Sequence, residues 1–128
     1  MVPHRLRIGG VMPTILLIED DPSVCSVIAQ HLSDAGFAVS VQPDTTTALQ
    51  HLDAVDGADL LLVDLVMPAD QIDGLAFAEI AKARRPQLPI IFMTGYYGFV
   101  ARAGELPGSV IFKPVDLDEL TRAVTRAL

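Results

Sequence analysis

The chain has 128 residues, enough for one domain with a sizeable core and too few for two. Its 16 acidic and 9 basic side chains leave a net charge of −7, the wrong sign for a nucleic-acid clamp, while 51% hydrophobic residues are too many for a disordered segment. No unbroken apolar run exceeds four residues, so no segment reads as a bilayer-spanning helix; the lone Cys25 excludes an internal disulfide, and the absence of Trp argues against a stacking platform.

Residues 1–13 combine Arg5, Arg7, a Gly-Gly pair and two prolines without periodicity, and no apolar core of a targeting leader follows. They are expected to be a disordered N-terminal extension to a domain over residues 14–128, acting in the cytoplasm without a covalently attached output module. Thr14–Ile18 reads as a buried strand. Pro22 then opens a helix that turns Val24, Ile28, Leu32 and Ala35 inward and stops at Gly36. Phe37–Val41 alternates as a strand. Asp44 caps a second helix running to about Val55, with Ala48, Leu49 and Leu52 inward. Asp59–Val63 is an apolar strand, Leu65–Ile72 a loop and Gly74–Arg85 a third helix, ended by Pro86. Pro89–Met93 is a fourth strand and Tyr96–Arg102 a short helix. Val110–Phe112 is a fifth strand, and Asp116–Leu128 a helix with Leu117, Leu120, Val124 and Leu128 on one stripe. Strands alternating with helices predict an α/β fold with a five-stranded parallel sheet. Strands this apolar require cover on both faces, so the sheet is doubly wound.

Ligands of such sheets bind outside the carboxyl ends of the strands. There the sequence places Glu19-Asp20-Asp21 after ILLI, Asp64 after LLLV, Thr94-Gly95 after IIFM and Lys113-Pro114 after VIF. Crowded carboxylates repel one another, and a hard divalent cation such as Mg²⁺ relieves them. A carboxylate relieved in this way can attack phosphorus and form an acyl phosphate, while an ammonium and a hydroxyl stabilise the phosphoryl oxygens. Asp21, directly before Pro22, fits an N-cap better than a ligand.

ILLIEDD, LLLVDLVMP, IIFMTG and VIFKP, in this order and spacing, resemble the receiver domain of two-component response regulators over Thr14–Leu128. The resemblance implies the flavodoxin-like (βα)5 fold and Mg²⁺-dependent phosphorylation of Asp64 by a histidine kinase or histidine phosphotransfer protein. It also implies signalling through phosphorylation-dependent protein binding, while the net charge and the short apolar runs predict no nucleic acid bound and no membrane insertion. Asp64 would be the phosphoacceptor. Glu19, Asp20, Asp64 and the Val66 backbone carbonyl would hold the metal, Glu19 through water. Thr94 and Lys113 would bind phosphoryl oxygens, Gly95 would leave them room, and the Lys113–Pro114 bond would be cis. Self-phosphorylation and self-dephosphorylation would be the only chemistry, so the chain is not a turnover enzyme.

Other polar residues have plainer readings. Cys25 lacks a partner suited to nucleophilic work, His4, His31 and His51 are scattered, and Met67-Pro68 and Asp73-Gly74 shape a loop and start a helix. Tyr96 and Tyr97 either lie on a partner surface or cover the sheet.

The chain departs from the family pattern in several places. Asp73 lies nine places after Asp64 rather than seven, an insertion around Asp70–Ile72. The aromatic residue usual three places before the lysine is Val110, and Glu105-Leu-Pro-Gly replaces a common Gly-Ala-Asp segment. These changes put the usual threonine–aromatic coupling in doubt and point to readout through the fourth helix. Val66 and Tyr96 flank the family's route for hydrolytic water, which predicts a long-lived phosphoryl group. Two further readings compete: a receiver-like scaffold that works without phosphorylation, and a receiver module excised from a hybrid histidine kinase. A Mg²⁺-dependent phosphatase of the haloacid-dehalogenase type would want a second Asp where Val66 stands.

Overall fold

The computed structural model describes residues 12–65, 73–95 and 106–128. Its elements are β1 (Thr14–Ile18), α1 (Pro22–Asp34), β2 (Ala38–Gln42), α2 (Thr45–Gln50), α3 (Asp53–Asp56) and β3 (Leu60–Asp64), followed by α4 (Gly74–Arg84), β4 (Ile90–Thr94), β5 (Ser109–Phe112) and α5 (Leu117–Ala127). The strands form one parallel sheet in the order β2-β1-β3-β4-β5. The chain therefore steps from β1 to one side and returns past it to β3. The topological switch point, where connections diverge and leave a crevice, lies between these two strands.

Alternate side chains of the same strands serve two cores. Leu16, Ile18, Leu61, Val63, Ile90 and Phe92 pack on one face with Ala48, Val55, Phe77, Ala78 and Ala81 from α2, α3 and α4. Ile15, Leu17, Leu60, Leu62, Ile91, Met93 and Ile111 pack on the other with Ile28 and Leu32 of α1 and Leu120 and Val124 of α5. Each fully buried Leu, Ile or Phe contributes about 1.5–3 kcal/mol of transfer free energy. The sheet is doubly wound as predicted.

Acidic residues start the main helices. Asp21 accepts from the N–H groups of Ser23 and Val24, Asp44 from Thr47, Asp73 from Ala76 and Asp116 from Glu119. Four of the sixteen acids thus satisfy helix N–H groups, each worth about 1 kcal/mol. At the other end of α1, Gly36 takes φ 105°, and the N–H groups of Gly36 and Phe37 donate to Ser33 and Leu32. Such a left-handed C′ residue favours glycine.

Two expectations change. The helix predicted from Asp44 to Val55 breaks at His51, which leaves helical geometry at φ −126°, ψ 51°. The Thr45–Thr47 run has weak helix propensity, and two short pieces bring both Leu49 and Val55 onto the core. Strands β2, β3 and β4 lie one residue later than expected, because the hydrogen-bond ladder extends into the polar residues that close the apolar runs. The expected helix Tyr96–Arg102, the Asp70–Ile72 insertion and residues 1–11 lie outside the described residues.

Candidate phosphoacceptor site

The carboxyl ends of β1, β3 and β5 bring Glu19, Asp20, Asp64 and Lys113 together, and Thr94 ends β4 beside β3 and β5. Ile18 pairs with Val63, Asp64 with Met93 and Thr94 with Phe112. The ladder continues past the strands, with Leu65 N–H donating to the Met93 carbonyl and Lys113 N–H to the Thr94 carbonyl, each at 2.8 Å. The Lys113–Pro114 bond is cis.

Glu19 and Asp64 are buried, at 1% and 5% exposure, whereas Asp20 faces solvent. One carboxylate oxygen of each lies within 4.8 Å of the others, and the three form the metal-compatible cluster among the described residues. The Lys113 ammonium donates to Glu19 Oε1 at 2.5 Å and to Asp64 Oδ2 at 2.7 Å. Glu19 Oε2 accepts from the Asp20 N–H.

Desolvation pushes the Glu19 carboxyl up to about 7, the bond from Lys113 opposing it and the neighbouring Asp64 adding to it. Burial works to lower the Lys113 ammonium, but its bonds to Asp64 and Glu19 prevail and hold it above the ordinary lysine value. One ammonium therefore bridges two buried carboxylates, with a third acid beside them. An all-oxygen donor set short of positive charge fits a hard dication of the Mg²⁺ type and offers nothing to a thiophilic metal. The Val66 carbonyl, the fourth expected ligand, lies outside the described residues.

Two glycines shape the surroundings. Among the described residues, a Cβ at Gly95 would meet only the Lys113 Cβ, at 3.8 Å, an ordinary contact. A Cβ at Gly74 would collide with the Asp64 carbonyl oxygen and lie 2.8 Å from its carbon, and the Gly74 N–H donates to Leu65 at 3.2 Å. Helix α4 therefore starts against the backbone of the expected phosphoacceptor. The Asp73-Gly74 pair was legible as a helix start, but this contact was not; a glycine just inside a capped helix was its only sequence sign. An apolar groove of about 570 Å³, lined by Val24, Val27, Ile28, Pro114 and Leu117, also opens beside Lys113.

A family model, the response regulator receiver domain, matches residues 15–125. The chain belongs to this family. The DNA-binding transcriptional regulator NtrC of Rhizobium meliloti (strain 1021) is 36% identical over 118 residues, covering 90% of this chain and 24% of that protein. A putative NtrX-like response regulator of Rickettsia conorii is 31% identical over 116 residues, covering 88% and 24%. The receiver domain thus spans about a quarter of the length of these curated relatives. Among solved structures, the receiver domain of NtrX from Brucella abortus superposes with a TM-score of 0.79 at 28% identity, covering 89% of this chain and 97% of that one. TrrA of Thermotoga maritima, in complex with Mg(2+)-BeF, shares the fold with a TM-score of 0.80 at 24% identity, covering 91% and 100%. Both agree with the strand order and the two-faced cover of the sheet.

Proposed function

We propose that this receiver domain is a phosphorylation switch in which Asp64 accepts a phosphoryl group from a phosphohistidine of a histidine kinase or phosphotransfer protein. The receiver unit spans residues 14–128. The observation that carries the reading is the Lys113 ammonium held between Glu19 and Asp64 at 2.5 and 2.7 Å, with Asp20 beside them. An Asp64 oxygen attacks phosphorus, the P–N bond breaks, the imidazole leaves and an acyl phosphate remains. Lys113 already lies within a hydrogen bond of the nucleophile and neutralises charge on the transferred oxygens, while the Thr94 hydroxyl donates to another. Glu19, Asp20 and Asp64, together with the Val66 carbonyl, would hold Mg²⁺, which supplies charge neutralisation at the phosphoryl oxygens. The described residues leave them room at Gly95.

Self-phosphorylation and hydrolysis of its own acyl phosphate are the only reactions in this reading, and output is binding to a protein. The net charge of −7 argues against direct contact of this domain with nucleic acid. No helix among the described residues is long and apolar enough to cross a membrane, in keeping with work in the cytoplasm.

Intact mass after incubation with Mg²⁺ and acetyl phosphate tests the proposal. One labile phosphoryl adduct is expected on the native chain, and none on Asp64→Ala or without metal. If neither acetyl phosphate nor a purified histidine phosphodonor yields an adduct, while Mg²⁺ binding is confirmed, the protein is a receiver-like scaffold instead.

A further inference from the structure

At β2, the bond from the Ala38 N–H to the Pro13 carbonyl, at 2.9 Å, fixes which backbone groups face β1. These groups alternate in direction along a strand, so those of Ala38, Ser40 and Gln42 turn to β1 and those of Val39 and Val41 turn outward. β2 is an edge of the sheet, and among the described residues no strand pairs with its outer side. Edge strands are usually blunted by a lysine, a proline, a bulge or an inward charge. Ala38–Gln42 holds no charge and no proline, and its register with β1 runs unbroken from Ala38 to Gln42. Val41 is 42% exposed, on the same side of the strand as half-buried Val39, which packs on the core under α1.

This edge is complementary to itself. Antiparallel pairing centred on Ser40 sets Val39 of each copy opposite Val41 of the other, and every outward N–H and C=O of these valines then finds a partner. Sliding the pair one way brings in Pro43, which has no N–H to give. Sliding it the other way brings in Phe37, whose N–H already donates to Leu32. At a net charge of −7 two copies repel, and a seam without charges is where they approach at least cost.

We propose that β2 is the seam of a weak symmetric dimer, in which two copies of this domain join as one continuous sheet. Each exposed Val41 is then covered by Val39 of the other copy, on the α1 face. A two-fold seam closes on itself instead of propagating. The antiparallel arrangement also sends the two phosphoacceptor pockets to opposite ends of the joined sheet. A seam of one five-residue strand per copy stands at the small end of specific interfaces, which bury about 1,200–2,000 Å², so the pairing depends on concentration. The inference goes beyond the phosphoacceptor reading and does not rest on it.

Light scattering of the native chain is expected to show a mean mass rising with concentration from one chain toward two. Val41→Lys, which puts a charge on the seam, is expected to stay monomeric. Amide hydrogen exchange reads the same edge without any substitution: the Val39 and Val41 N–H groups gain protection as concentration rises, while that of Ser40, bonded to β1, is protected throughout. Directly opposed residues of a non-hydrogen-bonded pair lie about 4.5 Å apart at Cα, within the span of a disulfide. Ser40→Cys in a Cys25→Ser chain should therefore cross-link to itself under a mild oxidant, and Val41→Cys, offset from its own copy along the strand, far more slowly. A native chain that stays monomeric up to millimolar concentration overturns the inference. Protection at Val39 and Val41 that ignores concentration also overturns it and assigns the edge to a segment of the same chain. A dimer that survives Val41→Lys with both amides unprotected, or equal cross-linking at 40 and 41, overturns it in favour of another face.

Discussion

Replacing Lys113 by methionine keeps the bulk of the side chain and removes the ammonium that bridges Glu19 and Asp64. Two buried carboxylates, with Asp20 beside them, then share one site that has lost the cation which the described residues supply. Breaking a buried ion pair by removing one partner costs about 3–5 kcal/mol, and the quarter exposure of the Lys113 side chain places this case at the lower end. A loss of about 3 kcal/mol in a chain of this length lowers Tm by about 10 °C. The cost must also depend on pH. The folded Glu19 carboxyl already lies near 7, above its ordinary 4.5, so the native state binds that proton more tightly than the unfolded chain does. Its favourable contribution is complete below about 4.5 and is lost as pH rises through about 7. Without Lys113 the folded value rises further, so Lys113→Met is destabilised strongly at pH 8 and much less at pH 5. Mg²⁺ at pH 8 should restore more stability to the variant than it adds to the native chain, because it supplies the missing positive charge. Urea denaturation at the two pH values, with and without Mg²⁺, measures all three. Equal losses at both pH values with an unchanged Mg²⁺ increment would refute the account of Lys113 as the counter-charge of this pocket.

Further outcomes follow from the same geometry. Mg²⁺ affinity, measured by calorimetry, should rise as pH increases through about 7, because the proton on Glu19 competes with the ion, and Glu19→Gln should weaken binding and flatten that dependence. Gly74→Ala forces a methyl against the Asp64 carbonyl and should cost about 1–3 kcal/mol while slowing uptake of the phosphoryl group. Gly57→Ala, whose Cβ would find its nearest neighbour at 3.8 Å, should stabilise the chain by about 0.4–1 kcal/mol in thermal melts. Replacing Val66 and Tyr96 together with small polar residues should shorten the lifetime of the acyl phosphate in a discharge assay; an unchanged lifetime counts against steric exclusion of water.

Much of this protein was legible in the sequence because a parallel sheet covered on both faces leaves a simple record. The runs ILLI, LLLV and IIFM are apolar throughout since both of their faces are buried, and the first polar residues after them mark the rim where chemistry collects. Caps obey local rules, so Asp21, Asp44 and the stop at Gly36 could be read from neighbouring residues alone, whereas Asp116, read as the first residue of its helix, is its cap. The break at His51 was hidden, because Ala48, Leu49, Leu52 and Val55 keep a spacing that one continuous helix would also satisfy. The contacts that make the pocket lay beyond local pattern altogether. Lys113 meets Glu19 and Asp64 across 94 and 49 residues of chain. Gly74 abuts the Asp64 backbone, and Phe112 lies beside Thr94. Sequence determined which chemical groups stand at the ends of which strands. Strand order and register decided which of them touch, which carboxylate is buried and which is wet, since burial and pairing belong to neighbours that only the folded chain brings together.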